Sequence, residues 1–161
     1  MVGFVDVTRC RIRKPTYNQG QYWSAKDGYH ALKYEVACNN NRFMPQITWV
    51  RGPFFATIHD LTLFRLELKW ALSLGQHLIA DKAYVGGYPE ILAPFRPAHD
   101  AIEVQWNFLL HQRRTVIKRV NGRLKNFSCL VQAWRHDFLL HHMVFHVIAQ
   151  VTNIMLYTNP L

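Results

Sequence analysis

The spacing of apolar residues changes part-way along this chain, and that change limits the folds it can adopt. From Gly3 to Ile12, β-branched and polar residues alternate roughly around Asp6, until Pro15, Asn18 and Gly20 break the run. Apolar residues dominate Tyr29 to Ala37, Asn39-Asn40-Asn41 supplies a turn, and an extended run from Gln46 to Val50 stops before Gly52-Pro53, which predicts a hairpin. Helical spacing follows. Leu61, Phe64, Leu68 and Leu72 share one face of a helix expected over Asp60 to Leu74, and Gly75 stands at a cap position. His77 to Ala80 reads as a short buried strand ending at Asp81. Pro89, Pro94 and Pro97 predict a loop with at most one helical turn, and helices are expected from Trp106 onward and from about His141 to Leu156. The order is strands, one helix, one strand, then helices, in a single domain over residues 1–161 without repeats.

Half of the 161 residues are apolar, enough for a substantial core. Nineteen Lys and Arg against ten Asp and Glu leave a charge of +9, which draws polyanions and points to nucleic acid or an acidic membrane. No N-terminal segment has the pattern of a signal peptide, and no apolar run reads as long enough to span a bilayer. An intracellular protein with no membrane partner is expected. Cys10, Cys38 and Cys129 are odd in number and far apart, which argues for reduced thiols and against a CxxC zinc site.

Asp6 in "GFVDVT" and Asp81 in "LIADKAY" end apolar extended runs, where an ionised carboxylate is costly unless a cation compensates it. Starting a turn is the competing reading of each. Asp60 in "TIHDLT" precedes a periodic helix, so N-capping is its first reading and a place near the site its second. Arg113 to Lys125, "RRTVIKRVNGRLK", carries six cations and no anion. On a helical wheel Lys118 lies about 40°, Lys125 about 20° and His111 about 60° from Arg114, a basic stripe opposite the apolar arc of Leu109, Val116, Ile117, Val120 and Leu124. Arg113 falls inside that arc and does not fit it.

These blocks together resemble the DDE-type transposases, in the Harbinger-like and insertion-sequence-like branch of DDE superfamily endonucleases. "VDVT", "GPFFATIHDLT", "LIADKAYVG", "RTVIKRVNGRLKNFSCL" and "WRHD" followed by "VFHVIAQVTNI" carry the resemblance over nearly the whole chain. Asp81-Lys82-Ala83-Tyr84 is similar to the signature around that family's second catalytic acid. His111, Arg114, Lys118 and Lys125 are similar to its pattern of Tyr, Arg, Glu and Lys, with His111 in the tyrosine's place and Lys118 in the catalytic glutamate's.

The resemblance implies an α/β, RNase H-like fold: a central mixed sheet flanked by helices. It implies Asp6 and Asp81 as catalytic and metal-holding acids, with Asp60, Arg114 and Lys125 in support. The implied cofactor is a divalent pair, Mg²⁺ or Mn²⁺, cleaving DNA phosphodiester bonds. Lys118 removes oxygen donors that such ions need and sets an ammonium near the acids, where an ion pair with them is expected; little or no cleavage is therefore expected. The family's usual N-terminal DNA-binding region is not expected before Asp6, which leaves backbone attraction from Arg11, Arg13, Lys14, Arg114, Arg119, Arg123 and Lys125, with a separate DNA-binding subunit as a candidate partner. The alternative is a non-catalytic transposase-derived module that binds nucleic acid or protein. In a eukaryotic host the nucleus is the expected location. Tyr22, Trp23, Trp49 and Trp106 are candidates for stacking on bases or, more simply, for the core. His141, His142 and His146 read as packing and capping groups with no structural metal.

Overall fold

The structure, a computed structural model, describes residues 2–161. Its chain runs β1 (Val2–Arg11), α1 (Gln19–Tyr22), β2 (Trp23–Ser24), β3 (Tyr29–Asn39), β4 (Ile47–Phe55), α2 (Asp60–Leu63), a π-helical stretch (Phe64–Leu68), α3 (Lys69–Ala71) and β5 (His77–Ile79). A 3₁₀ turn (Lys82–Tyr84), β6 (Ile91–Leu92), α4 (Ala101–Arg113), α5 (Thr115–Leu124), a second 3₁₀ turn (Ser128–Leu130) and α6 (Phe138–Thr158) complete it.

The strands form one mixed sheet. β3 pairs antiparallel with β1 on one side and with β4 on the other, while β1, β5 and β6 run parallel. Alternation along β1 divides the core into two layers. Phe4, Cys10 and Ile12 pack with Leu32, Tyr34 and Val36 beneath Ile117, Val120 and Leu124 of α5 and Phe145 and Ile148 of α6. Val5 and Val7 face the opposite way, onto Leu63, Phe64, Leu68 and Tyr84. The fold is α/β and RNase H-like, as the motifs implied.

Several boundaries differ from the sequence reading, each for a local reason. β4 continues past Gly52-Pro53 to Phe55, because Gly52 has a φ of 144° and lies so close to Tyr34 that an added Cβ would meet its ring at 2.6 Å. The helix from Asp60 is interrupted by the π stretch and ends at Leu72, where the backbone becomes extended. β6 lies within the proline-rich loop, pairing Leu78 with Ile91 and Ile79 with Leu92. α4 starts at Ala101, five residues before Trp106, behind an Asp100 side chain that accepts from the Glu103 N–H.

The expectation of no bilayer-length segment is corrected by α6. Its 21 residues carry no Asp, Glu, Lys or Arg, and the helix is long and apolar enough by length and composition to cross a membrane. In this fold one side of α6 is core: His141, Phe145, Ile148, Ala149, Thr152 and Leu156 are buried.

Candidate active site

The parallel pairing of β1 with β5 brings the two aspartates together. Phe4 is level with Ile79, so with a side-chain period of two, Asp6 and Asp81 stand two residues further on at the same level and on the same face. That face is covered by α5. Asp81 also shapes its own turn, its Oδ1 accepting the Ala83 N–H at 2.8 Å, and Asp6 Oδ1 accepts from the Val7 N–H at 2.9 Å.

Arg114 joins the pair. Its Nη2 lies 4.0 Å from Asp6 Oδ2 and 3.8 Å from Asp81 Oδ2, at the limit of ion pairing, and its Nε is buried without a hydrogen-bond partner. The chain delivers it there by ending one helix and starting another. Arg114 is both the last cap of α4 and the first of α5, with φ −66° and ψ −8°. Burial pushes the Asp6 carboxyl above the usual carboxylate range, opposed by the Val7 N–H and the Arg114 guanidinium and reinforced by the charge of Asp81.

The helical break also corrects the basic stripe, because phases cannot be carried across it. Arg113 is exposed, which removes the misfit at that position. Lys118 is exposed on α5, and no ion pair from it to either acid is present among the described residues. The expected Lys118 pairing is thus taken by Arg114. Lys125 turns inward instead: its Nζ donates to the Arg9 carbonyl and, at 3.3 Å, to the Leu130 carbonyl, with Cys10 Sγ at 3.8 Å. It ties α5 to β1, so its ammonium does not face solvent as a phosphate contact would.

Asp60 is not the cap. His59 caps α2 by accepting the Leu61 N–H on Nδ1, while Asp60 is buried and forms an ion pair with Lys33, its Oδ1 3.0 Å from Nζ. Lys33 also donates to the Ile58 carbonyl. Beside this pair Glu35 is 1% exposed and accepts from Trp49 Nε1 at 3.2 Å and from the Tyr84 hydroxyl at 3.4 Å. Burial raises its carboxyl to about 7 against those two donors. Lys33 and Glu35 lie on the sheet face opposite Asp6, and the Tyr84 hydroxyl ties Glu35 to the turn that begins with Asp81. Sequence reasoning missed both. The available signal was "LKYEV", charges two residues apart inside an apolar run, the period of one strand face.

Asp6 and Asp81 are two oxygen-bearing side chains directed at one point, and a cationic guanidinium lies at that point. Among the described residues no group of three or more His, Cys, Asp or Glu side chains is placed to hold a metal ion. A divalent pair needs a fuller set of hard oxygen donors, so the residues present do not fit it. The histidines do not supply it either. His141 Nδ1 is 2.8 Å from the Tyr34 hydroxyl, and the His142 and His146 rings meet edge to face at 4.4 Å. Cys10, Cys38 and Cys129 are free thiols.

Arg11, Arg13, Lys14 and Arg119 are exposed, whereas the Arg123 guanidinium approaches the Asn159 and Pro160 carbonyls. Of the aromatic candidates, Trp49 is engaged by Glu35 and Tyr22 packs on Phe55 and Phe138. Trp106 is half-buried against the core, and Trp23 is exposed beside His30.

A family model described as DDE superfamily endonuclease matches residues 5–155. The chain is also similar to a probable transposase for the insertion sequence element IS702 from Microchaete diplosiphon, 29% identical over 157 residues. That alignment covers 92% of this chain and 55% of the relative, so the chain spans about half the relative's length. No solved structure matches it significantly.

Proposed function

The chain belongs to the DDE superfamily endonucleases, and from that premise we propose a transposase-derived domain that contacts DNA phosphates through its exposed cations and has lost strand cleavage. The observation that carries this reading is the Arg114 guanidinium shared by Asp6 and Asp81, with a lysine at the position that resembles the family's glutamate. When bound, a divalent pair would activate the attacking oxygen and stabilise the leaving one. Here the donor set is short by one acid. What these residues do is hold two carboxylates together against their mutual repulsion, with Arg114 offsetting the charge.

Plasmid nicking in Mn²⁺ tests the reading. The wild type should leave supercoiled DNA intact, and Lys118→Glu, at an exposed position, should restore metal-dependent nicking that Asp81→Asn abolishes again. Metal-dependent nicking by the wild type that disappears in Asp81→Ala would overturn the loss of cleavage. Failure of both wild type and variants to retain duplex DNA would overturn the binding half.

A further inference from the structure

α6 presents to solvent a surface that the fold does not explain. Leu140, Met143, Val147, Gln150, Ile154 and Tyr157 follow one another at alternating spacings of three and four residues, the pattern that keeps side chains on one seam of a helix. Five of the six are apolar, and they are open: Met143 is 58%, Val147 62%, Ile154 64% and Tyr157 71% exposed. With the flanking Leu139 and Val151, also exposed, the face offers on the order of 700 Å² of apolar surface, at roughly 100 Å² per side chain. Monomeric proteins rarely expose a patch larger than about 300–600 Å², whereas a stable interface buries about 800 Å² per partner.

Two features of this face select its occupant. The first is charge. The molecule carries +9, so two copies repel over most of their surfaces, yet α6 has no Asp, Glu, Lys or Arg. It is a long neutral surface on a strongly basic protein, and a second copy can approach it without bringing cation against cation. The second is symmetry of spacing. The order three, four, three, four, three reads the same in both directions, so an antiparallel copy meets it in register: Leu140 opposite Tyr157, Met143 opposite Ile154, Val147 opposite Gln150. A two-fold interface requires such self-complementarity, and antiparallel helix dipoles add to it.

We propose that the outer face of α6 is the dimerisation surface of this chain, pairing with α6 of a second copy in antiparallel register. The buried side of α6 stays in each copy's own core, so dimer formation requires no rearrangement of the sheet. The candidate active sites lie at α5 and β1, and the proposal is independent of whether they cleave DNA.

Sedimentation equilibrium of the full chain from low to high micromolar concentration tests it. The wild type should reach twice the monomer mass, and Met143→Glu and Ile154→Lys should each be monomeric with unchanged circular dichroism. Mixing those two variants should restore a dimer, because antiparallel pairing sets the carboxylate introduced by Met143→Glu on one chain against the ammonium introduced by Ile154→Lys on the other, while the remaining pair stays apolar. A wild type that remains monomeric throughout, or a dimer that survives both single substitutions, would overturn the proposal. Failure of the mixture to reassociate would overturn the antiparallel register. A monomer that instead partitions onto neutral phospholipid vesicles would overturn dimerisation and assign the face to a membrane.

Discussion

Glu35 and His141 place opposite demands on pH at the scale of single residues. The enclosed Glu35 carboxyl keeps its proton to about 7, above its ordinary 4.5, so between those values the unfolded chain releases a proton that the folded chain retains. Stability from this group therefore falls as pH rises from about 4.5 to 7, and the full penalty stands above that. His141, held neutral by burial and by the nearby charge of Lys125, is lowered to about 4 from 6.5, so its contribution is intact above 6.5 and lost as pH falls toward 4. The two slopes overlap and oppose one another. Glu35→Gln should remove one of them: urea denaturation across pH should show the variant rising in stability from about pH 4 to 6.5, matching the wild type at pH 4 and exceeding it by roughly 2 to 3 kcal/mol at about pH 8. Parallel pH profiles for the two proteins would mean that Glu35 is ionised in the fold.

At the scale of elements, α5 is an amphipathic helix whose apolar side, Val116, Ile117, Val120 and Leu124, is buried, and whose position decides where Arg114 and Lys125 reach. Gly122 sits in its last turns with open space where a Cβ would project. A glycine there costs about 0.5–1 kcal/mol relative to alanine, chiefly through the freedom it gives the unfolded chain. Gly122→Ala should raise stability by about that amount in a thermal melt, with the circular dichroism unchanged. The apolar period of this helix was legible in the sequence, because burial imposes it directly. The break at Arg114 was not, because no proline or glycine marks it and residues on both sides keep helical spacing. β6 was illegible for the opposite reason: two residues are too few to show a period, and only the pairing with β5 makes them a strand.

Over the whole molecule the +9 charge should govern DNA affinity. Each phosphate contact contributes about −0.9 to the slope of log affinity against log salt. Fluorescence anisotropy on unrelated duplexes in graded KCl should give similar affinities for each sequence. Replacing Arg13 and Lys14 by Ala should reduce the slope by about 2. Lys125→Ala should leave the slope unchanged while lowering stability, since its ammonium is bound to the Arg9 and Leu130 carbonyls.

The sequence by itself determined most of the apolar core and the longer strands and helices, because burial selects apolar side chains at the period of each element. It also marked Asp6 and Asp81 as unusual, since their charges end apolar runs, and Arg114 through the basic stripe and the motif it resembles. It did not determine that these three share a point in space. That follows from β1 and β5 lying parallel and from the helical break at Arg114, a long-range pairing and a local turn that no residue spacing records. Nor did it separate Lys118, exposed, from Lys125, half-buried and bonded to backbone carbonyls, or reveal Asp60 and Lys33 as partners. A charged side chain's role depends on what stands opposite it, and only tertiary packing decides that.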